Sequence, residues 1–484
     1  MRRRDVLRAG AGVAALSVAG PTASATAGRQ SAFEPLGVLD LDGTKEVVVD
    51  DAGETAYAAT TDGFATVDVS DPADPEQLAG VAPLLEDHEN GPMRMVYDVK
   101  LDGDTLIAVG PANPTRTESV QGVAVFDVSD PADPQRTAFH ETAFPIHNAY
   151  LADGIAYLTA NDGAKNPVVL VDVTGGTTEE VGRWSNVDVD ERWRDVYAGL
   201  RSCHDVYVHG DTLYVAYWDA GTWLVDVSDP ASPEYVTHFG HYSVEDLRDL
   251  SAGAAGAESL SVPGNAHYVA VNDDASLLAS GAEAWDVETD DGDPGQGGID
   301  LWDISDPTNP EKLSFIAPPP TPDGTRQGTW TTSHNFEFHG EHLYTSWYQG
   351  GVKIHDVSDP ANPEELAWWR QPEAARFWTA QYATEETFVA GSMGGQTYPA
   401  GVYTFPNRAG EQADPPELRT TTVATSTETQ TTAGTTTAPT ATATGTETPT
   451  TDAESGGGVP GFGALAALAG ASAAALAAWR RGDE

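Results

Sequence analysis

Four histidines stand at the same place in successive segments of the chain: His147, His204, His267 and His334, in the contexts Ile-His-Asn, Cys-His-Asp, Ala-His-Tyr and Ser-His-Asn. Their separations are 57, 63 and 67 residues. Neutral imidazole is a ligand for Fe, Zn, Cu or Mn through either ring nitrogen. Four imidazoles brought to one point make a metal centre, such as an oxidoreductase or a hydrolase uses. Four that each bond to a neighbouring backbone make a structural ring. The residue types alone leave both readings open.

Other candidates are weaker. Asp286-Val-Glu288-Thr-Asp290-Asp291-Gly292-Asp293 has the look of a calcium loop, but its glycine is one place late for the EF-hand pattern. Cys203 is the single cysteine, which excludes an intramolecular disulfide and a multi-cysteine metal site. It adjoins His204, yet neighbours on a strand point to opposite faces, so a buried inert thiol is expected. Trp330, Trp347, Tyr348, Trp368 and Trp369 are candidates for a sugar platform and, more simply, for core between sheets. No Gly-x-Ser-x-Gly, phosphate loop or His-Glu-x-x-His occurs, so no catalytic residue and no cofactor site can be named.

The elements that must position the histidines form a repeat. Val67-Asp68-Val69-Ser70-Asp71-Pro72 returns at Phe126 to Pro131, Val171 to Thr174, Val225 to Pro230, Trp302 to Pro307 and His355 to Pro360. A weaker copy, Gly401-Val402-Tyr403-Thr404-Phe405, lacks the turn. Each copy ends a unit of four short β-rich runs. In one unit these are His204 to Val208, Leu213 to Tyr217, Thr222 to Val227 and Tyr235 to Phe239, separated by Gly, Asp and Pro turns. Four antiparallel strands per unit are a propeller blade. The expected fold is all-β: a seven-bladed β-propeller over residues 29–410. Glu34 to Asp40 matches the fourth-strand segments, so this N-terminal strand is expected to complete blade seven beside Val402–Phe405 and bury Leu36, Val38 and Leu39.

These phrases resemble the LVIVD repeat of exported bacterial and archaeal proteins, over residues 34–405. The resemblance implies the propeller fold and little about activity. Aligned on their turn glycines, the first strands open with Val47, Tyr97, His147, His204, His267, His334 and Trp378. First strands line a propeller's channel, so the four imidazoles are expected near the axis, with Asp205, Asn148, Asn335 and Glu337 as nearby polar support. Carotenoid oxygenases hold ferrous iron with four axial histidines on a seven-bladed propeller; that likeness is of fold only. The long, varied segments Leu84–Val96, Pro111–Gln121, Asp188–Cys203, Tyr242–Ala266, Ala284–Gly298 and Pro318–Ser333 all fall on one face, the usual place for binding or catalysis.

Composition bears on partners and address. With 25 Lys+Arg against 74 Asp+Glu the net charge is −49, which excludes nucleic acid or anionic lipid as a main partner. The acid-rich, lysine-poor balance is in the style of extremely halophilic archaea. Residues 1–28 carry Arg3-Arg4 before a short apolar run and resemble a twin-arginine (Tat) signal peptide. In residues 411–455 threonine dominates: 18 of the 32 residues from Thr420 to Thr451, an extended stalk. Residues 456–484 run from Val459-Pro460-Gly461-Phe462-Gly463 through an apolar stretch to Arg480-Arg481 and resemble the PGF-CTERM signal, whose bearers are archaeosortase substrates that gain a lipid anchor. The expectation is an extracellular, surface-anchored module that binds a cell-surface protein or glycan through its long-loop face. It touches the membrane only through its C-terminal anchor. The alternative is a metal-dependent enzyme centred on the four histidines.

Overall fold

Each aspartate of the repeated phrase ends a third strand by capping the turn that follows. Asp68 Oδ1 accepts from Ser70 N at 2.9 Å and Ser70 Oγ at 2.6 Å. The backbone bond recurs at Asp127, Asp172, Asp226, Asp303 and Asp356. The Ser or Thr side chain, then its backbone N–H, holds each of these six carboxyls below its ordinary range. Just before each aspartate the third and fourth strands slip register, between Thr66 and Val67 and at the same point of blades two to six. Such a bulge bends and twists the outer edge of each blade.

The computed structural model describes residues 32–115, 119–287, 295–394 and 399–418. The expected signal segment 1–28, the sorting segment 456–484 and the acidic run 288–293 lie outside them. Seven sheets follow the chain, each with its first strand innermost; in blade four the order is Asp205–His209, Thr212–Ala216, Thr222–Asp226, Glu234–Phe239. First strands of neighbouring blades touch all the way round, including blade seven to blade one. Apolar clusters fill the gaps between blades; one holds Cys203 with Trp193 and Trp223 between blades three and four. Trp347 and Trp369 belong to two others.

Blade seven closes as expected. Gly37–Asp40 pairs antiparallel with the third strand, Gly37 opposite Thr404 and Asp40 opposite Gly401. The side chains correct the expected burial: Leu36 and Val38 are 40% and 46% exposed. The buried anchor is Phe33, fully enclosed and stacked on Phe388 and Phe405. The packed chain also runs past residue 410, where the stalk was expected to begin. Gly410–Glu411 adds a fifth, parallel strand to blade six, and Arg370 Nε donates to Pro416 O at 3.0 Å.

First-to-second and third-to-fourth turns are short, and the long connections carry the α-helices, such as Ala252–Glu258. Among the described residues no helix is long and apolar enough to cross a membrane.

Candidate metal centre at the channel mouth

One repeat position sets the mouth of the channel. It lies two residues past the second-strand residue that pairs with the start of the third strand: Ala216 with Thr222, Gly281 with Ile299, Ser346 with Val352. Counted so, it is Ala112, Asn161, Trp218, Glu283 and Tyr348 in blades two to six, and Thr61 in blade one. Three of these residues form a single β-bridge to the residue before the next blade's opening position: Thr61 to Val96, Trp218 to Ala266, Tyr348 to Phe377. Their φ values are +72°, +50° and +48°, a left-handed backbone that bulky residues rarely adopt. Asn161 makes the same bridge with its side chain: Oδ1 accepts from Cys203 N at 3.0 Å and Nδ2 donates to Cys203 O at 2.9 Å. Each bridge fixes the residue that follows, which is Tyr97, His204, His267 or Trp378.

The four histidines come together as an arc over blades three to six. Ring centroids are 4.7 Å apart for His147–His204, 4.0 Å for His204–His267 and 4.6 Å for His267–His334. Imidazoles sharing one ion at about 2.1 Å stand roughly 4.5–5 Å apart, centre to centre. All four are buried. His147 Nδ1 lies 2.9 Å from Ala112 O, His204 Nδ1 3.1 Å from His267 O and His334 Nδ1 2.6 Å from Trp378 O. A carbonyl only accepts, so in these three rings Nδ1 carries the proton and Nε2 keeps the lone pair. His267 is different: Nδ1 has no hydrogen-bond partner among the described residues, and Nε2 is 3.6 Å from Glu283 Oε2.

Glu283 was not among the expected residues. One ligand atom each from His267, Glu283 and His334 lies within 4.8 Å of the others. Tyr348 Oη donates to Glu283 Oε1 at 2.5 Å. Burial pushes the Glu283 carboxyl up to about 7, against the pull of that hydrogen bond. Burial first, then repulsion from the other rings, pushes His204 and His267 well below the ordinary histidine value; His334 falls to about 3 and His147 also falls. Neutral rings offer lone pairs at any ordinary pH.

The expected polar support takes other roles. Asn148 Nδ2 donates to His204 O at 2.8 Å. Asn335 Nδ2 donates to Glu46 Oε2 at 2.7 Å, Asp205 Oδ1 accepts from Val206 N at 2.7 Å, and Glu337 accepts from Tyr382 N at 2.6 Å. Lys100 Nζ lies 2.7 Å from Asp98 Oδ1 and 3.3 Å from Glu46 Oε1, so one ammonium serves two buried carboxylates. Above the rings, a cavity of 120 Å³ reaches His147 and His204 past Pro114, Pro145, Asp162 and Trp218. Trp330, Tyr348 and Trp218 pack together under the long loops, buried rather than presented to a ligand; Trp368 alone of the five candidate aromatics is half-buried and stacks under Arg370 at 3.8 Å. Cys203 is buried and its thiol is pushed well up, the inert state expected of it.

The profile of the LVIVD repeat matches residues 45–80 and 201–239, blades one and four. The chain carries LVIVD repeats. No curated protein matches it. Among solved structures it is similar to the β-propeller domain of Cps50 (Swd1) from Myceliophteria thermophila, at 11% identity and TM-score 0.52, over 77% of this chain and 99% of that one. It is similar also to the structure of U3-55K, at 11% identity and TM-score 0.52, over 78% and 98%. At that identity the likeness shows the fold alone.

Proposed function

We propose that this LVIVD-repeat propeller is a metal-centred protein, with His267, Glu283 and His334, whose ligand atoms lie within 4.8 Å of one another, as the core of a transition-metal site at the channel mouth and with His204 and His147, next along the arc, swinging in to complete its shell. The observation that carries this reading is the tethering of three Nδ1 atoms to carbonyls among four touching, buried, neutral imidazoles. That arrangement fixes the tautomer a ligand needs before any ion arrives. The chemistry of four nitrogens and one carboxylate suits Fe, Zn, Cu or Mn. A bound ion there would supply a Lewis acid or a redox centre, in keeping with an oxidoreductase or a hydrolase. The protein's own residues do the rest. Tyr348 orients Glu283, the carbonyls of Ala112, His267 and Trp378 orient the rings, and the cavity beside His147 and His204 admits a small reactant.

A second reading, an exported binding module with a structural histidine ring, draws on the same carbonyl bonds. Those from His204 and His334 run to the next blade and from His147 to the preceding one, so they also knit blades together. Under either reading, the likeness of residues 1–28 to a twin-arginine signal and of residues 456–484 to a PGF-CTERM signal supports an exported protein held at the cell surface. Elemental analysis of full-length protein purified without chelator separates the two. The metal reading expects about one ion per chain, falling severalfold in Glu283→Gln and in His334→Ala while the melting curve stays cooperative. Metal-free wild type that refuses Fe, Zn, Cu and Mn on titration leaves only the binding module.

A further inference from the structure

Between blades four and five lies a separate cavity of 680 Å³. That is within the range of small-molecule sites, roughly 300–1,000 Å³. Strand pairing sets its walls in rows. Across blade five Ser280, Asp300 and Phe315 stand side by side on the second, third and fourth strands, with Trp302 opposite Lys312 in a further row. Thr222 and Phe239 form the facing row of blade four. The blades touch where Thr222 Oγ1 meets Ser280 Oγ at 3.1 Å, and where the rings of Phe239 and Trp302 lie 4.5 Å apart. All of these residues line the cavity.

Asp300 departs from the repeat. It stands three residues before the capping aspartate, where blades one to four carry Ala65, Ala124, Val169 and Trp223. Lys312 Nζ lies 2.7 Å from one of its oxygens and His241 Nε2 3.1 Å from the other. This cluster is open to a ligand, since the Lys312 and His241 side chains are 38% and 35% exposed. An ammonium has three protons and each carboxylate oxygen two lone pairs, so donors and acceptors remain after these bonds. Phe315 is 51% exposed, so its ring has area left to bury. A Cβ at Gly298 would stand 2.4 Å from that ring; glycine there lets the ring lie against the third strand at the cavity wall. Lys312 Nζ is 5.7 Å from the ring's centroid, so one small ligand reaches both. Asp219 borders the cavity too, but it is 1% exposed, with its carboxyl on Asn265 N.

The charges of Asp300 and Lys312 cancel, so an ionic ligand finds its counter-charge taken. An anion is repelled further by the net charge of −49. A wholly apolar occupant would strip water from the ammonium and the carboxylate and replace none of its hydrogen bonds. A ring with an apolar face and hydroxyls at its edge satisfies both walls, because a hydroxyl donates as well as accepts. We propose that this cavity binds a neutral saccharide, a sugar ring against Phe315 and Trp302 and its hydroxyls on Asp300 and Lys312. The proposal does not rest on the metal reading.

The test is saturation-transfer NMR titration of the full chain with the methyl glycosides of glucose, galactose, mannose and N-acetylglucosamine, and with cyclohexanol, a ring with a single hydroxyl. At least one glycoside is expected to bind, about tenfold tighter than cyclohexanol or more, the worth of a charged hydrogen bond. Lys312→Met removes the ammonium and keeps most of the stem; it should erase that preference. Phe315→Ala should weaken the same glycoside about tenfold, for the ring area it no longer covers. Both side chains are well exposed, so the melting temperature should hold in each variant. Wild-type affinity in either variant overturns the proposal. So does equal binding of the glycosides and cyclohexanol, or binding of no glycoside, in the wild type.

Discussion

His355 shows how one residue departs from its repeat. It occupies the place of Val67, Phe126, Val171, Val225 and Trp302 before the capping aspartate. Burial, then repulsion from Lys353, pushes its pKa down to about 3. The unfolded chain therefore takes up a proton that the folded chain refuses. The stability this histidine allows is complete above about pH 6.5 and is lost as pH falls toward 3. About two pH units below the ordinary histidine value, the loss is about 2–3 kcal/mol. His355→Val restores the repeat residue and should remove that part of the acid sensitivity, seen as a flatter acid limb in denaturant midpoints against pH. Parallel acid limbs in the two proteins would mean that His355 is not buried neutral. Glu283 departs in the same manner, a carboxyl where blades four and six carry Trp218 and Tyr348. In a chain with 74 acids one more gives no signal by itself. Only the repeat alignment marks it, and the position to align became visible when the strand pairings fixed the register.

At the scale of elements, the seam between blades does the positioning. The bridge from Asn161 to Cys203 replaces with a side chain what Thr61, Trp218 and Tyr348 do with backbone. Asn161→Ala removes three hydrogen bonds, two with the Cys203 backbone at 3.0 and 2.9 Å and one from Ser202 Oγ at 3.0 Å, and leaves Cys203 N–H without that acceptor. The cost should be about 1–3 kcal/mol in denaturant unfolding. His204 follows Cys203 directly, so metal affinity should fall as well; Asn161→Asp, which keeps an acceptor, should recover part of both. Loss of stability with unchanged metal affinity would mean that the bridge does not set His204. The strands themselves were legible from sequence because β-branched runs and Asp-Pro turns repeat in phase. The bulge before each aspartate was not, since it inserts one residue without changing the pattern of types. The alternation that suggested burial of Leu36 and Val38 also misled: the closing strand is the outermost of its blade, and its exposed edge carries them.

At the scale of the whole molecule, closure depends on the segment before the closing strand. Phe33 is fully enclosed against Phe388 and Phe405, and Trp369 Nε1 donates to Glu34 Oε2 at 2.8 Å. Phe33→Ala should cost about 3–5 kcal/mol, as large-to-small changes of buried Phe do. Leu36→Ala should cost far less, because that side chain is 40% exposed. Equal losses in the two variants would contradict the closure described. The seven-bladed ring could be counted in the sequence because every blade but one repeats its phrase. The axial convergence of the histidines followed from that count, whereas the carbonyls that hold their Nδ1 atoms belong to the backbone and leave no mark in residue types.

The most direct measurement is the X-ray absorption spectrum of the full chain after loading with Fe, Zn, Cu or Mn. The proposed centre predicts a first shell of nitrogen and oxygen at about 2.0–2.2 Å with the outer scattering of several imidazole rings. That outer scattering should weaken in His267→Ala, and the first shell should lose an oxygen in Glu283→Gln. A shell of water or carboxylate oxygen without imidazole scattering, or a spectrum unchanged by both substitutions, would contradict a metal centre at the channel mouth.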